Sequence, residues 1–236
     1  MKLENERCTG CEACANRCPY DAIVMKANEK GFFYPVILEE KCKECGLCAR
    51  ICPIEKAFNQ KEYSQEFYSC WVKDEEIRRN STSGGIFTAI AEQVLQDGGA
   101  VFGAAFDQDF YVEHICMENK EALKKARGAK YVQGRTKNTF REAGELLKQV
   151  RRVLYTGTPC QIAGLYAYLG KEYDELLTMD LICHGVPSPT VFQSYLREIS
   201  SKYRDEISSV RFRYKKPSWS LYSMRIDFKS SRPYIC

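Results

Sequence analysis

Eight cysteines crowd the first quarter of the sequence, and their order is regular. Cys8-Thr-Gly-Cys11-Glu-Ala-Cys14-Ala-Asn-Arg-Cys18-Pro19 recurs 34 residues later as Cys42-Lys-Glu-Cys45-Gly-Leu-Cys48-Ala-Arg-Ile-Cys52-Pro53. Both copies read C-x2-C-x2-C-x3-C-P, a spacing suited to iron–sulfur ligation. Three thiolates two residues apart, on a tightly wound loop, reach three irons of one cubane. The fourth follows three residues later, heads into a short helix and points toward the other cubane. Proline after it removes a backbone donor and fixes φ, which turns the chain away. One [4Fe–4S] cluster is therefore expected on Cys8, Cys11, Cys14 and Cys52, and a second on Cys42, Cys45, Cys48 and Cys18. Structural zinc takes four ligands in two separated pairs; these runs supply three plus one, twice. The total of 13 cysteines is odd, and no apolar leader is seen in MKLENERC. Both features argue against an extracellular disulfide scaffold and for a reducing, cytoplasmic setting.

The elements that must hold these thiols are short. The segment AIVMKANEKGFFYPVIL, between the runs, predicts two strands joined by a turn near Asn28–Gly31. So small a unit has little core of its own, and metal must supply much of its folding energy. The motif is the one bacterial ferredoxins carry, so residues 1–60 read as an α+β ferredoxin-like 2[4Fe-4S] module. A polar linker at 61–69 and a second domain over 70–236 follow.

From Cys70 the pattern becomes alternating helix and strand. Helices are expected over IFTAIAEQVLQD, Glu121–Ala126, Thr139–Val150, QIAGLYAYL and TVFQSYLREISSKY. Strands are expected over AVFGAAF, Arg152–Gly157, Leu176–Cys183, Ser209–Tyr214 and Tyr222–Phe228. Such recurrence predicts an α/β domain with a mixed, partly parallel sheet. His114 reads as an ordinary surface or packing residue.

Three loops of this domain could do chemistry. Ser81-Thr82-Ser83-Gly84-Gly85 opens a helix, where amides could hold a phosphate or merely cap. Gly157-Thr158-Pro159-Cys160-Gln161 joins a strand to a helix, the place where α/β sheets bind ligands. Cys183-His184-Gly185 ends the next strand. Cys160 is open to three readings: a metal ligand, a nucleophile paired with His184, or an inert core thiol.

The segments STSGGIFTAIAE, GAKYVQG, YTGTPCQIAGL and DLICHGVPSP, in this order, resemble the signature segments of the coenzyme F-420 hydrogenase/dehydrogenase beta-subunit family. The ferredoxin module precedes them as in many members. The resemblance implies a flavoprotein that exchanges electrons between ferredoxin-type clusters and a FAD-coupled two-electron substrate, deazaflavin or other. It implies flavin contacts at Ser83, Gly84, Gly85, Lys130, Tyr131, Thr158 and Gln161, and a third [4Fe–4S] cluster using Cys160 and Cys183. His184 or Tyr131 would be the side chains placed to protonate a substrate. Members continue further, with a Cys-x-x-Cys segment, so the chain is expected to be short at its C-terminus and the third cluster incomplete. The alternative is a non-catalytic iron–sulfur relay subunit or an inactive fragment, and a cysteine hydrolase on Cys160 and His184 is a third.

Composition narrows the rest. A hydrophobic fraction of 44% with net charge +4 excludes disorder. The longest apolar run, Ala100–Phe106, is far below the roughly 20 residues of a membrane span. Residues 197–236 carry ten basic against four acidic side chains. The basic RFRYKKP stretch alternates like a half-exposed strand, so nucleic acid is not expected. Partners are then a redox protein, as in a hetero-oligomeric subunit, or a small-molecule electron acceptor.

Overall fold

The computed structural model describes residues 7–55, 65–215, 218, 220 and 223–236. Part of the expected linker (61–64) and Tyr222 of the last expected strand lie outside the described residues.

The first module is two short helices and a hairpin. Helix α1 (Ala13–Arg17) and helix α2 (Leu47–Arg50) each follow the middle of a cysteine run. Strands β1 (Ile23–Ala27) and β2 (Phe33–Ile37) pair antiparallel, Ile23 opposite Ile37 and Ala27 opposite Phe33. Their turn is closed by Asn28, whose Oδ1 accepts from the amides of Lys30 (3.1 Å) and Phe32 (3.0 Å). That is the side-chain turn chemistry that favours asparagine here. The apolar centre is only Cys18, Ala22 and Ile23, with Cys14, Cys42 and Cys48 packed against it.

The second domain is built on a five-stranded sheet in the order β5-β4-β3-β6-β7. These strands are β3 (Ala100–Phe106), β4 (Val112–Met117), β5 (Gly134–Arg135), β6 (Val153–Gly157) and β7 (Leu176–Asp180). Strands β3 and β4 are antiparallel, and β4–β5, β3–β6 and β6–β7 are parallel. The sheet is thus mixed and mostly parallel, as the strand–helix alternation predicts. All of β6 is buried, which explains its unbroken VLYTG run rather than a polar–apolar alternation.

A short helix, α3 (Glu75–Asn80), precedes the sheet, and longer helices cover both of its faces. On one side α4 (Ile86–Gln96) and α5 (Lys120–Ala126) pack Ala91, Val94 and Leu123 on Val101, Met117 and Leu154. On the other, α6 (Thr139–Lys148) and α7 (Pro159–Leu169) pack Phe140, Leu147 and Leu165 on Phe102, Val153 and Tyr155. Ala13 of α1 belongs to this second core. The ferredoxin-type module therefore shares the hydrophobic core of the domain that follows it. Beyond the sheet, α8 (Pro189–Tyr203) packs Phe192, Leu196 and Ile199 on an antiparallel β10-β9-β8 sheet through Ile226 and Phe228. Its strands are β8 (Ile207–Tyr214), β9 (Ser223–Phe228) and β10 (Tyr234–Ile235).

Two elements differ from expectation for physical reasons. Strand β7 stops at Asp180 instead of Cys183. Its neighbour β6 turns into α7 after Gly157, and the amide of Leu181 makes the last bond, to the Gly157 carbonyl (3.1 Å). Strand β4 escapes a periodicity reading because it buries His114 beside Glu113 in place of an apolar residue. His114 stacks on Tyr155 at 5.5 Å and its Nε2 meets the Thr156 carbonyl at 2.8 Å, so it is a packing residue.

Candidate iron–sulfur site

Each cysteine run adopts the same local backbone. Two residues after the first cysteine, Gly10 and Glu44 have φ of 70° and 49°; immediately after the second, Glu12 and Gly46 have 63° and 70°. A left-handed residue between successive cysteines winds the loop so that its sulfurs and amides turn inward. A non-glycine residue is strained there. At Glu12 the strain is offset by three bonds to its carboxylate, from Arg135 Nε, Arg135 Nη2 (3.1 Å) and the Thr136 amide (3.1 Å).

The two loops bound two cavities. One, of about 460 Å³, is lined by Cys8, Cys11, Cys14 and Cys52 with Gly10, Pro35 and Ile54. The other, of about 390 Å³, is lined by Cys18, Cys42, Cys45 and Cys48 with Tyr20, Ile23 and Leu47. Each takes three thiols from one run and the fourth from the other. Burial, foremost, pushes the Cys8 thiol up and that of Cys11 to about 12; burial likewise raises Cys14 and Cys48. The amides of Gly10 and Ala13 act the other way on Cys8 and Cys11, and neighbouring thiolates raise both further. The Ala22 amide donates to Cys18 Sγ at 3.4 Å. Each cavity thus offers four sulfur donors in a largely apolar cradle with backbone amides among them. That donor set fits iron, whose potential such amide–sulfur bonds tune.

The module is bolted to the second domain around the first cavity. Thr136 Oγ1 donates to the Cys11 carbonyl (3.2 Å), and Asn16 Nδ2 to the Lys137 carbonyl (2.6 Å). Arg141 donates to the carbonyls of Ala15 (3.1 Å), Asn16 (2.6 Å) and Cys18 (2.8 Å). Gln133 makes a reciprocal pair with the backbone of Phe33, at 2.7 and 3.1 Å. A Cβ on Gly164 of α7 would lie 3.1 Å from both Cβ and Sγ of Cys11. None of Glu12, Gln133, Arg135, Arg141 or Gly164 stands out in the sequence. Surface-type residues carry no local sign of a partner more than a hundred positions away.

The loops of the second domain are held largely by their own bonds. Cys160, on the first turn of α7, has its Sγ 3.2 Å from Thr158 Oγ1, and no hydrogen bond joins it to His184 among the described residues. Gln161 Oε1 accepts from the Thr158 amide (3.0 Å) while its Nε2 donates to the Gly134 carbonyl (3.3 Å). Gly84 abuts the segment before it: a Cβ there would meet the Cys70 carbonyl at 2.8 Å. The loops 81–85 and 128–131 are brought together, the Ala129 amide donating to Thr82 Oγ1 (2.6 Å). Ser83 is exposed, and its carbonyl accepts from Lys215 at 3.4 Å. Lys130 Nζ donates to the carbonyls of Lys125, Ala126 and Gly128, each at 3.0 Å, capping α5. Tyr131 is half-exposed and edge-on to Phe212 at 5.4 Å. Cys183 and His184 are exposed on the stretch after β7.

Three family models match stretches of the chain. A 4Fe-4S dicluster domain matches residues 7–56. The N-terminal part of the coenzyme F420 hydrogenase/dehydrogenase beta subunit matches residues 67–138, and its C-terminal part residues 150–233. The chain belongs to the coenzyme F420 hydrogenase/dehydrogenase beta-subunit family, with a 4Fe-4S dicluster domain at its N-terminal end. No curated protein matches it. Among solved structures, a chain of the F420-reducing [NiFe] hydrogenase complex from Methanosarcina barkeri is similar at 19% identity and a TM-score of 0.47. The match takes in 70% of this chain and 57% of that one, so the chain spans less than two thirds of the neighbour's length. No helix among the described residues is long and apolar enough to cross a membrane.

Proposed function

We propose that this protein is an iron–sulfur flavoprotein oxidoreductase, passing electrons between two [4Fe–4S] clusters in the N-terminal module and a FAD-coupled two-electron substrate at the second domain. The observation that carries the reading is the pair of thiol-lined cavities joined to a family domain. Cys8, Cys11, Cys14 and Cys52 would hold one cluster, and Cys18, Cys42, Cys45 and Cys48 the other. The loop at Ser81–Gly85, the first turn of the 11-residue α4 and the nearby Lys215 suit an anionic cofactor group. Clusters supply one-electron transfer, and a flavin supplies conversion of single electrons into pairs. The chain's own part is positional: the cysteine loops fix the sulfurs, the amides tune them, and the Glu12–Arg135 pair holds the module on the sheet. A third cluster on Cys160 and Cys183 has two of the four donors a cubane takes.

A second reading, a relay subunit that turns over nothing itself, is favoured by the internal commitments of Lys130, Thr158 and Gln161. Anaerobic purification with iron, sulfide and FAD quantification separates the two. About eight irons per chain, flavin bands and one FAD are expected of the enzyme, against the same iron without flavin for the relay. About twelve irons would add the third cluster. Cys11→Ser and Cys45→Ser should each strip iron and colour; a protein that keeps both after either change overturns the proposal.

A further inference from the structure

We infer that Arg141, on α6, is a positioning residue through which the second domain sets the reduction potential of the cluster on Cys18, Cys42, Cys45 and Cys48. Its guanidinium holds the Cys18 carbonyl, and its positive charge favours the reduced cluster. This rests on the reading above for the presence of both clusters.

Four contacts define the place of Arg141. Its Nη2 donates to the carbonyls of Ala15 (3.1 Å) and Cys18 (2.8 Å), and its Nε to that of Asn16 (2.6 Å). Its Nη1 pairs with the Asp21 carboxylate at 2.8 Å. The three carbonyls lie at the end of α1, where a helix leaves acceptors without partners and its dipole favours a cation. The chain's own amides stand farther off: that of Cys18 is 3.3 Å from the Ala15 carbonyl, and that of Asp21 is 3.5 Å from the Cys18 carbonyl. Partners that hold a ligating residue from behind also tune the metal it binds.

The contrast with Arg135 shows why the charge counts. Arg135 also reaches the module, but it meets the Glu12 carboxylate, and the two charges cancel. Arg141 gives three bonds to neutral carbonyls. Its one carboxylate partner, Asp21, is 72% exposed at its side chain, so water screens that pair. A positive charge therefore stays beside Cys18, which is buried and whose Sγ accepts from the Ala22 amide. Reduction adds one electron to a cluster, and a nearby cation stabilises the added negative charge. The cavity of this set is lined wholly from residues 18–48, so the second domain acts on it through Arg141 without lining it.

The test reads the midpoint potentials of both clusters in anaerobic, iron-loaded protein by electron paramagnetic resonance. Cys11→Ser and Cys45→Ser assign the two signals. Arg141→Gln removes the charge, whereas Arg141→Lys keeps it and loses the planar fork. The expected result is a lower potential for the Cys18-ligated cluster in Arg141→Gln, with a smaller change in the other cluster. Arg141→Lys should stay near the wild-type potential. Asp21→Asn uncovers the guanidinium charge and should raise the potential of the same cluster; this exposed position decides the matter if Arg141→Gln fails to hold iron. A merely structural tie would make lysine and glutamine shift the potential alike, which overturns the proposal. A Cys18-ligated cluster unmoved by Arg141→Gln, or by Asp21→Asn where that variant decides, overturns it too. Wild-type protein holding fewer than about eight irons would instead count against the function proposed above.

Discussion

At the scale of single residues, chemistry that looks functional divides into groups that are spent and groups that are not. His114 is buried, and burial lowers its pKa to about 4 against an ordinary 6.5. The folded state therefore refuses a proton that the unfolded chain accepts. Its contribution is fully present above pH 6.5 and is lost as pH falls toward 4, by about 3 kcal/mol in total. Chemical denaturation of wild type and His114→Gln across pH 4 to 7 should show a steeper loss for the wild type. Lys130 presents a second case. Its Nζ donates to the carbonyls at the end of α5, while burial pulls its pKa down from 10.5 to about 7, so the helix dipole meets a cation there below that pH. Lys130→Met should cost about 2 kcal/mol even in flavin-free protein, read from the shift in denaturation midpoint. A variant of unchanged stability would return Lys130 to the set of residues free to meet a ligand.

At the scale of elements, the informative contact is α1 against the loop before α6 and against α7. Glu12 is 2% exposed at its side chain and Arg135 24%, so the pair is mostly shielded from water. Arg135→Met leaves a buried carboxylate without its partner, a loss of about 3 kcal/mol. Glu12→Gln keeps one acceptor for Thr136 and should cost less, a ranking that paired denaturation curves would check. Gly164 answers to packing. A valine there would press on Cys11 and Phe140, at 3.1 and 3.3 Å from its Cβ, costing about 1–3 kcal/mol. Hydrogen exchange should report the damage in α1 and α7 together, because they share one core.

At the scale of the whole molecule, stability is unevenly founded. The five-stranded sheet has a double-sided core, whereas the hydrophobic cluster of the N-terminal module is three buried residues, Cys18, Ala22 and Ile23, beside two cavities. Metal removal should therefore be selective. After anaerobic chelation, amide protection is expected to vanish from β1, β2 and the cysteine loops while β3 and β6 stay protected. Loss of protection throughout would mean that the shared core at Ala13 carries more of the sheet's stability than its size suggests. Either result is read by exchange mass spectrometry on matched loaded and stripped samples.

The sequence by itself determined what depends on short spacing. The doubled cysteine run, the strand–helix alternation and the four family segments are all local, because ligand reach, pleat and helical pitch act over a few residues. It also left His114 as a surface or packing residue, and the strand that buries it settles on packing. Tertiary structure decided everything that joins distant residues. Nothing local marks Glu12, set between two cysteines, and only the fold brings Arg135 to it. Gly164 shows its role only where α1 lies across it, and Lys130, a flavin contact by resemblance, also donates to the carbonyls at the end of α5. The reason is physical: a polar or small residue has its partner chosen by chain topology, whereas an apolar repeat or a ligand spacing carries its geometry within itself.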